Sequence, residues 1–275
     1  DGAPVDAQRY SEIDQFIASA CLALRHHDLL FTRSTARNLI AGPRGEPGRV
    51  GPLRPLNDVP DGEVLELTSG AGDFTGTNVT SDLPIQVISG HVCTDVPTGI
   101  AACDHVEESM FAVDTLSETY IVNAPQVTSL PNGKVEVIRI IATAPNTTIT
   151  YNPPQAGGRT GLANAGDYLE IDNNDQSFEI TANQKILVAQ YMEGQEAGGD
   201  TGDPAMALAV PVEQFRQSYV FQAPTSYDYN YVDVTAPTGA SVTLDGGAPL
   251  SFTAIGSTGY GLARAQLTSG TANDG

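Results

Sequence analysis

The stretch VEVIRIIATAPNTTITY (residues 135–151) decides the fold class. Its first part, VEVIRII (135–141), is a short apolar run rich in β-branched residues, and its last part, TTITY (147–151), alternates polar and apolar side chains. Both patterns are typical of strands. The intervening Ala144-Pro145-Asn146 contains two residue types that favour turns. The stretch therefore predicts two strands joined by a turn.

The same pattern of short strands and turns continues along the chain from Asp61 onward. VLEL (64–67) and IQVIS (85–89) are further short strand patterns, and proline or glycine interrupts the sequence at short intervals. Several short strands separated by turn residues are typical of a sandwich or barrel, whereas alternating strands and helices would indicate a parallel sheet. We expect an all-β fold.

An internal repeat of about 100 residues is the most informative pattern. Four segments recur in the same order, at offsets of 104, 101, 99 and 93 residues, and a third copy begins near Gly259. We predict tandem β-sandwich-like units, the first at 60–160 and the second at 161–275 with the start of a truncated third. The matched pairs are Leu65–Leu67 with Leu169–Ile171, Thr80–Val87 with Thr181–Val188, Tyr120–Pro125 with Tyr219–Pro224, and Thr148–Tyr151 with Ser241–Leu244.

Residues 1–59 differ from the rest in composition. Seven of the 13 basic residues lie before position 55. Ser11 is a candidate N-cap, and the apolar residues between Ile13 and Leu24 recur at helical spacing. We predict an atypical, partly helical N-terminal segment.

The charge balance limits the classes of partner. The chain carries 33 Asp and Glu against 13 Lys and Arg, a formal net charge of −20. A surface this acidic repels phosphate backbones and anionic lipids, so we expect neither nucleic acid nor membrane insertion. No stretch approaches the roughly 20 apolar residues of a membrane helix, and residues 1–4 lack the features of a signal peptide.

Residues 90–108 hold two of the three cysteines and two of the four histidines. A disulfide between Cys93 and Cys103 is favoured in an exported chain. The alternative is a zinc site made by His91, Cys93, Cys103 and His105, although one-residue spacings differ from the usual zinc knuckle. Cys21 has no evident partner.

Other residue patterns are candidates for catalysis or for metal binding. His105 and Glu108 are a candidate acid–base pair, but the sequence contains no nucleophile elbow, metalloprotease helix motif or phosphate loop, so we expect no enzyme. No cofactor is expected, with calcium as an alternative at two acidic loops, Asp172–Asp175 and Gly199–Asp203. Such loops are more often plain turns.

Two sets of side chains are candidates for binding. Glu107 and Glu108 follow the cysteine pair and are predicted to form an exposed acidic face. Tyr227, Tyr229 and Tyr231 form a compact aromatic cluster, and tyrosine is common at contact surfaces. The alternative for the tyrosines is packing within a strand.

These residues also carry a family resemblance. Thr77–Cys93 together with Val96-Pro97 and Cys103-Asp104-His105 resembles the N-terminal domain of IgGFc-binding proteins, as does Gly202-Asp203-Pro204-Ala205-Met206. The likeness extends from about residue 61 to 275, although the chain lacks the tryptophan that we expect of the pattern. The resemblance implies an extracellular or cell-surface β module with a binding role, and it also implies the Cys93–Cys103 disulfide.

We therefore predict a non-catalytic binding or adhesion module of a large surface or secreted protein. Its partner is expected to be an extracellular protein or glycan. The alternatives are a structural matrix or mucus-layer component without a dedicated ligand, and a zinc- or calcium-dependent lectin or enzyme.

Overall fold

The computed structural model describes residues 27–33, 36–41, 54–59, 64–69, 73–126, 134–197, 202–223 and 229–267. Within these ranges the elements are strands and three short 3-10 turns, and no α-helix is present. The prediction of an all-β fold is confirmed. No described helix is long and apolar enough to cross a membrane.

The first copy of the repeat consists of seven strands in two sheets. A four-stranded sheet has the order β4-β1-β6-β7, and a three-stranded sheet has the order β3-β2-β5. All of their pairings are antiparallel. The strands are β1 (His27–Arg33), β2 (Ala36–Ala41), β3 (Arg54–Val59), β4 (Val64–Ser69), β5 (Val79–Thr80), β6 (Ile85–Thr94) and β7 (Asp104–Ser109).

The second copy repeats this pairing around one long strand. The N-terminal half of β13 pairs with β10 and β8, and its C-terminal half pairs with β9 and β14. Since β12 pairs with β9, the order β12-β9-β13-β14 repeats β4-β1-β6-β7. The strands are β8 (Ser117–Val122), β9 (Glu136–Ala142), β10 (Thr147–Asn152), β11 (Gly161–Leu162), β12 (Tyr168–Asn174), β13 (Phe178–Met192) and β14 (Ala205–Leu208).

Among the residues whose burial the structure describes, a large hydrophobic core lies in the second copy. Fifteen buried residues form it, and β13 supplies five of them, from Phe178 to Val188. Alternation explains this for β10, where TTITY (147–151) turns every second side chain inward, while β9 is buried or half-buried along its whole length. The strand pair predicted from this stretch is present as β9 and β10.

The third copy has fewer described strands. The strand β15 (Asn230–Pro237) pairs with β17 (Tyr260–Leu267), as β9 pairs with β12 and β1 with β4. The short β16 (Thr253–Ala254) adds to β17. A small cluster of Ile255 and Leu262 packs against Ile121 of β8, so this copy rests on the second.

The predicted unit boundaries do not coincide with the sheets. Strands β1 to β3 lie within residues 1–59, and β1 pairs with β4 and β6. The boundary at 160/161 falls between β10 and β11, which pair with each other. The sequence repeat gives the spacing of the copies but not their starting point, and the two-sandwich description stays a prediction. The predicted helix between Ser11 and Leu24 lies outside the described residues.

The first and second copies contact each other through Arg139. Its guanidinium donates to Glu170 Oε1, with N–O distances of 2.8 and 2.6 Å, and to Thr75 Oγ1. It also lies over the rings of Tyr168 and Tyr191, 5.0 and 5.4 Å from their centroids. Thr75 belongs to the loop between β4 and β5, so one half-buried arginine of the second copy holds a loop of the first.

Candidate binding surface

The cysteine loop is a contact between copies. Cys93 at the end of β6 and Cys103 just before β7 form a disulfide, with their Cα atoms 5.0 Å apart. The enclosed loop packs on the second copy, where Gly194 N–H donates to Val96 O at 2.8 Å and Glu196 N–H donates to Ala101 O at 2.9 Å. A Cβ on Gly194 would lie 2.9 Å from Ala101 O, so the close approach requires glycine there.

The four residues of the alternative zinc site make other contacts in the structure. Both sulfurs are in the disulfide. His91 Nδ1 accepts the Cys93 N–H at 3.1 Å, and His105 Nε2 lies 3.2 Å from Glu107 Oε2. In the part of the chain that the structure describes, no three His, Cys, Asp or Glu side chains are grouped as metal ligands.

Glu107 and Glu108 lie on β7, which borders the first copy's sheet. Both are half-buried. Glu107 faces His105, while Glu108 Oε1 accepts the N–H of Ser109 at 3.2 Å. The His105–Glu108 acid–base pair predicted as a catalytic alternative is therefore replaced by a His105–Glu107 contact. The role of both glutamates in binding stays a prediction.

The tyrosine cluster divides between two environments. Tyr229 precedes β15 and is 57% exposed. Tyr231 lies within β15 opposite Gln266 and is half-buried. Tyr227 lies outside the described residues. Of this cluster, Tyr229 is the side chain that the structure presents to solvent.

The two candidate calcium loops have different positions. Residues 172–174 are the end of β12, and Asp175 begins its connection to β13. Asn174 Nδ2 donates to Gln155 Oε1, and Asn173 has a positive φ of 52° where the register of β12 shifts. Of residues 199–203, only 202 and 203 are described, and Gly202 O accepts a hydrogen bond from Lys134 Nζ at 2.9 Å.

A buried carboxyl of the second copy lies near the contact with the third copy. Glu136 of β9 is fully buried and accepts from Gln190 Nε2 at 2.8 Å, while its other oxygen has no hydrogen-bond partner. Burial raises the pKa of Glu136 to about 8, so the carboxyl is protonated below that pH. Nearby, Asn123 Nδ2 donates to Thr235 Oγ1, and Arg264 donates to Ala124 O.

The connection between β14 and β15, residues 209–229, holds most of the exposed apolar surface. Seven large hydrophobic side chains are exposed among the described residues, and four of them lie in this connection. Val220 is 96% exposed and Tyr219 is 65% exposed. Exposed apolar side chains that lie together are typical of interaction sites, so this connection is the candidate for one. The four are Val210, Tyr219, Val220 and Tyr229.

The exposure of this connection was not predicted, although the internal repeat includes it. The repeat match of Tyr120–Pro125 with Tyr219–Pro224 pairs β8 with residues 219–224. The preceding 3-10 turns, Val113–Thr115 and Val212–Gln214, are offset by the same 99 residues. Yet Tyr120, Ile121 and Val122 are buried, and Tyr219 and Val220 are exposed. One sequence pattern therefore occurs once inside the fold and once on its surface.

Comparison with known proteins places the chain in a family. The family model for the IgGFc binding protein matches residues 58–274. The chain belongs to this IgGFc-binding family. It is also similar to the human protein named IgGFc-binding protein, with 28% identity over 229 residues. That match covers 78% of this chain and 4% of the human protein. No solved structure matches.

The family membership confirms the resemblance seen in residues 61–275. The matched range contains the Cys93–Cys103 disulfide and the strands from β4 onward, whereas β1 and β2 lie before it. The chain spans a small fraction of its human relative.

Proposed function

We propose that this chain is an extracellular, non-catalytic module that binds a protein partner through the β14–β15 connection. The observation that carries the proposal is the concentration of exposed apolar side chains there, with Val220 almost fully exposed. Aromatic and aliphatic side chains that lose their water on contact supply most of the affinity at protein interfaces.

The family supports a binding role. Its human member is named for binding the Fc region of IgG, so Fc is the first protein to test as a partner. The disulfide supports an oxidising, extracellular location, because such bonds are rare in reducing compartments. The acidic net charge favours a partner with a neutral or basic contact face.

The test is an array of extracellular proteins and glycans that includes IgG Fc. The wild-type chain is compared with the double variant Val220→Ser/Tyr229→Ser and with the control Leu83→Ser. Leu83 is also an exposed apolar residue, 41% exposed, but it lies in the first copy. We expect saturable binding to a protein spot that the double variant loses and the control keeps.

The outcomes are distinct. Binding to no spot, or equal binding by the double variant and the wild type, would contradict the proposal. Binding to glycans alone would assign the surface to a different class of partner and would equally contradict it.

A further inference from the structure

The cysteine loop, residues 94–102, attaches the first copy to the second. Val96 in this loop is 7% exposed, and its carbonyl accepts the Gly194 N–H at 2.8 Å. The Ala101 carbonyl accepts the Glu196 N–H at 2.9 Å, and the Ala101 N–H donates to Glu196 Oε2 at 3.3 Å. These hydrogen bonds hold the loop against one short segment of the second copy.

The contact requires a particular conformation of the loop. Gly194 is buried, and a Cβ there would lie 2.9 Å from Ala101 O and 3.1 Å from Ile100 O. The carbonyls of residues 96, 100 and 101 therefore approach this segment of the second copy together. A loop free to sample other conformations brings them together only part of the time, because every other accessible conformation competes with this one.

The disulfide restricts the conformation of this loop. Pairing between β6 and β7 is in register up to His91 and shifts before Thr94, so the ladder is irregular beside Cys93. The disulfide joins the two ends of the loop at this point, with the Cα atoms of the cysteines 5.0 Å apart. Cross-linking the ends of a short segment removes many of its alternative conformations. The bond and the contact with the second copy are therefore coupled.

The disulfide is exposed, whereas the contact that depends on it is covered. Cys93 and Cys103 are both exposed, while Val96 and Gly194 are buried. A thiolate in solution reaches an exposed sulfur, and exposed disulfides are among those that exchange readily. A reductant can therefore act on the bond without first opening the contact between the copies.

We propose that the Cys93–Cys103 disulfide is a redox-sensitive link between the first and second copies, which a dithiol reductant opens. One thiolate of the reductant attacks a cysteine sulfur, the S–S bond breaks, and a mixed disulfide forms. The second thiol of the reductant then displaces the protein sulfur, so the chain gains two electrons and two protons as two thiols, and the reductant leaves as a disulfide. Residues 94–102 then detach from Gly194 and Glu196. This link is separate from the proposed binding surface, since it lies in the loop between β6 and β7.

Two backbone N–H groups report the state of this link directly. Those of Gly194 and Glu196 donate to the loop, whereas the Ala209 N–H donates to a carbonyl of β13 at 2.9 Å, within the second copy. The full chain is used with Cys21→Ser, so that the disulfide supplies its remaining cysteines. Residue-resolved hydrogen exchange is measured with and without dithiothreitol. We expect exchange at Gly194 and Glu196 to become about tenfold faster or more on reduction, while exchange at Ala209 changes less than about twofold.

A second variant breaks the contact and leaves the disulfide intact. Gly194→Ala places a Cβ against Ala101 O, so the Glu196 amide should exchange about tenfold faster even in the oxidised chain, and reduction should add less than about twofold. Gly161→Ala is the matched control, because its Cβ would lie 3.7 Å from Thr147 O, an ordinary contact distance. This control should respond to dithiothreitol as the chain with both glycines does.

A disulfide that dithiothreitol leaves intact in the native chain, as measured by thiol titration, would overturn the inference. So would unchanged exchange at Gly194 and Glu196 after complete reduction, because the loop would then keep its conformation without the bond. An equal increase at the β6 amides from Val87 to Ser89 would mean that the disulfide stabilises the first copy as a whole. A full response of Gly194→Ala to dithiothreitol would mean that the bond maintains some other contact. Either of these last two results would also contradict the inference.

Discussion

Tyr120 and Tyr219 accept the same hydrogen bond from the backbone N–H three residues before them, yet Tyr120 is fully buried and Tyr219 is 65% exposed. They lie 99 residues apart at matching positions of the repeat. The difference follows from β13, which covers Tyr120 and takes a hydrogen bond from its hydroxyl. The turn is thus fixed locally, while burial depends on a strand from elsewhere.

The two tyrosines predict that the same substitution lowers the free energy of unfolding by different amounts. Tyr120→Phe removes a buried hydroxyl that both donates and accepts, and we expect it to lower the free energy of unfolding by about 1–3 kcal/mol. Tyr219→Phe changes an exposed group and should cost less than about 1 kcal/mol. Denaturant titration of the two variants measures both values. Equal costs would show that the two tyrosines share one environment.

Arg139 predicts how the first two copies are coupled. Although burial opposes its charge, Tyr191, Glu170 and Asp73 raise the pKa of Arg139. Lysine cannot reproduce the paired hydrogen bonds to Glu170 or the stacking between two rings. We expect Arg139→Lys to lower the free energy of unfolding by about 1–3 kcal/mol.

Arg159→Lys is the matched control, because Arg159 is exposed. Equal effects of the two substitutions in denaturant titration would mean that the contacts of Arg139 with Glu170, the two rings and Thr75 contribute nothing.

Glu136 predicts a dependence of stability on pH. Its pKa rises from an ordinary value of 4.5 to about 8 in the fold because of burial. The folded state then binds more protons than the unfolded state between these values, so stability is full below about pH 4.5 and falls as the pH rises toward about 8. The neutral analogue Glu136→Gln should flatten this slope.

Thermal unfolding of the wild type and of Glu136→Gln at pH 5, 6, 7 and 8 measures the difference between the two slopes. Other carboxyls with raised pKa values, among them those of Glu193 and Asp233, contribute equally to both chains. Parallel slopes would show that Glu136 titrates normally.

The disulfide predicts a loss of stability on reduction. Its two cysteines are 10 residues apart in sequence, and closing such a loop stabilises the fold by about 2–3 kcal/mol in the chain-entropy model. We expect the double variant Cys93→Ser/Cys103→Ser to lose about this amount in denaturant titration, and reductant to have no further effect on it. An unchanged midpoint, with Cys21→Ser as the control for loss of a thiol, would contradict this.

Local patterns predicted much of the fold. The strands β9 and β10 follow from alternation and a Pro-Asn turn within residues 135–151, and the repeat follows from matched segments. The strands β1 and β2 were not predicted because basic residues spread over the first 54 positions set this segment apart from the rest, whereas pairing with distant strands stabilises β1 and β2. Which residues pair over 30 or more positions is not contained in local periodicity.

The candidate site was predicted in part. Cys93 and Cys103 were identified because spacing and an extracellular context constrain disulfides strongly. Tyr229 was chosen by composition, and it is exposed, while its role in binding stays a prediction. Val220 was not, because its sequence match, Ile121, lies in a buried strand, and exposure depends on whether a neighbouring strand is present rather than on residue type.

The central claim is that the segment around Tyr219 and Val220 is presented to solvent, whereas the matching segment around Tyr120 and Ile121 is buried beneath β13. Hydrogen exchange of the free chain, compared between residues 117–122 and 216–223, tests it most directly. We predict slow exchange in β8 and fast exchange in the matched segment 99 residues later. Equal protection of the two segments would contradict the claim.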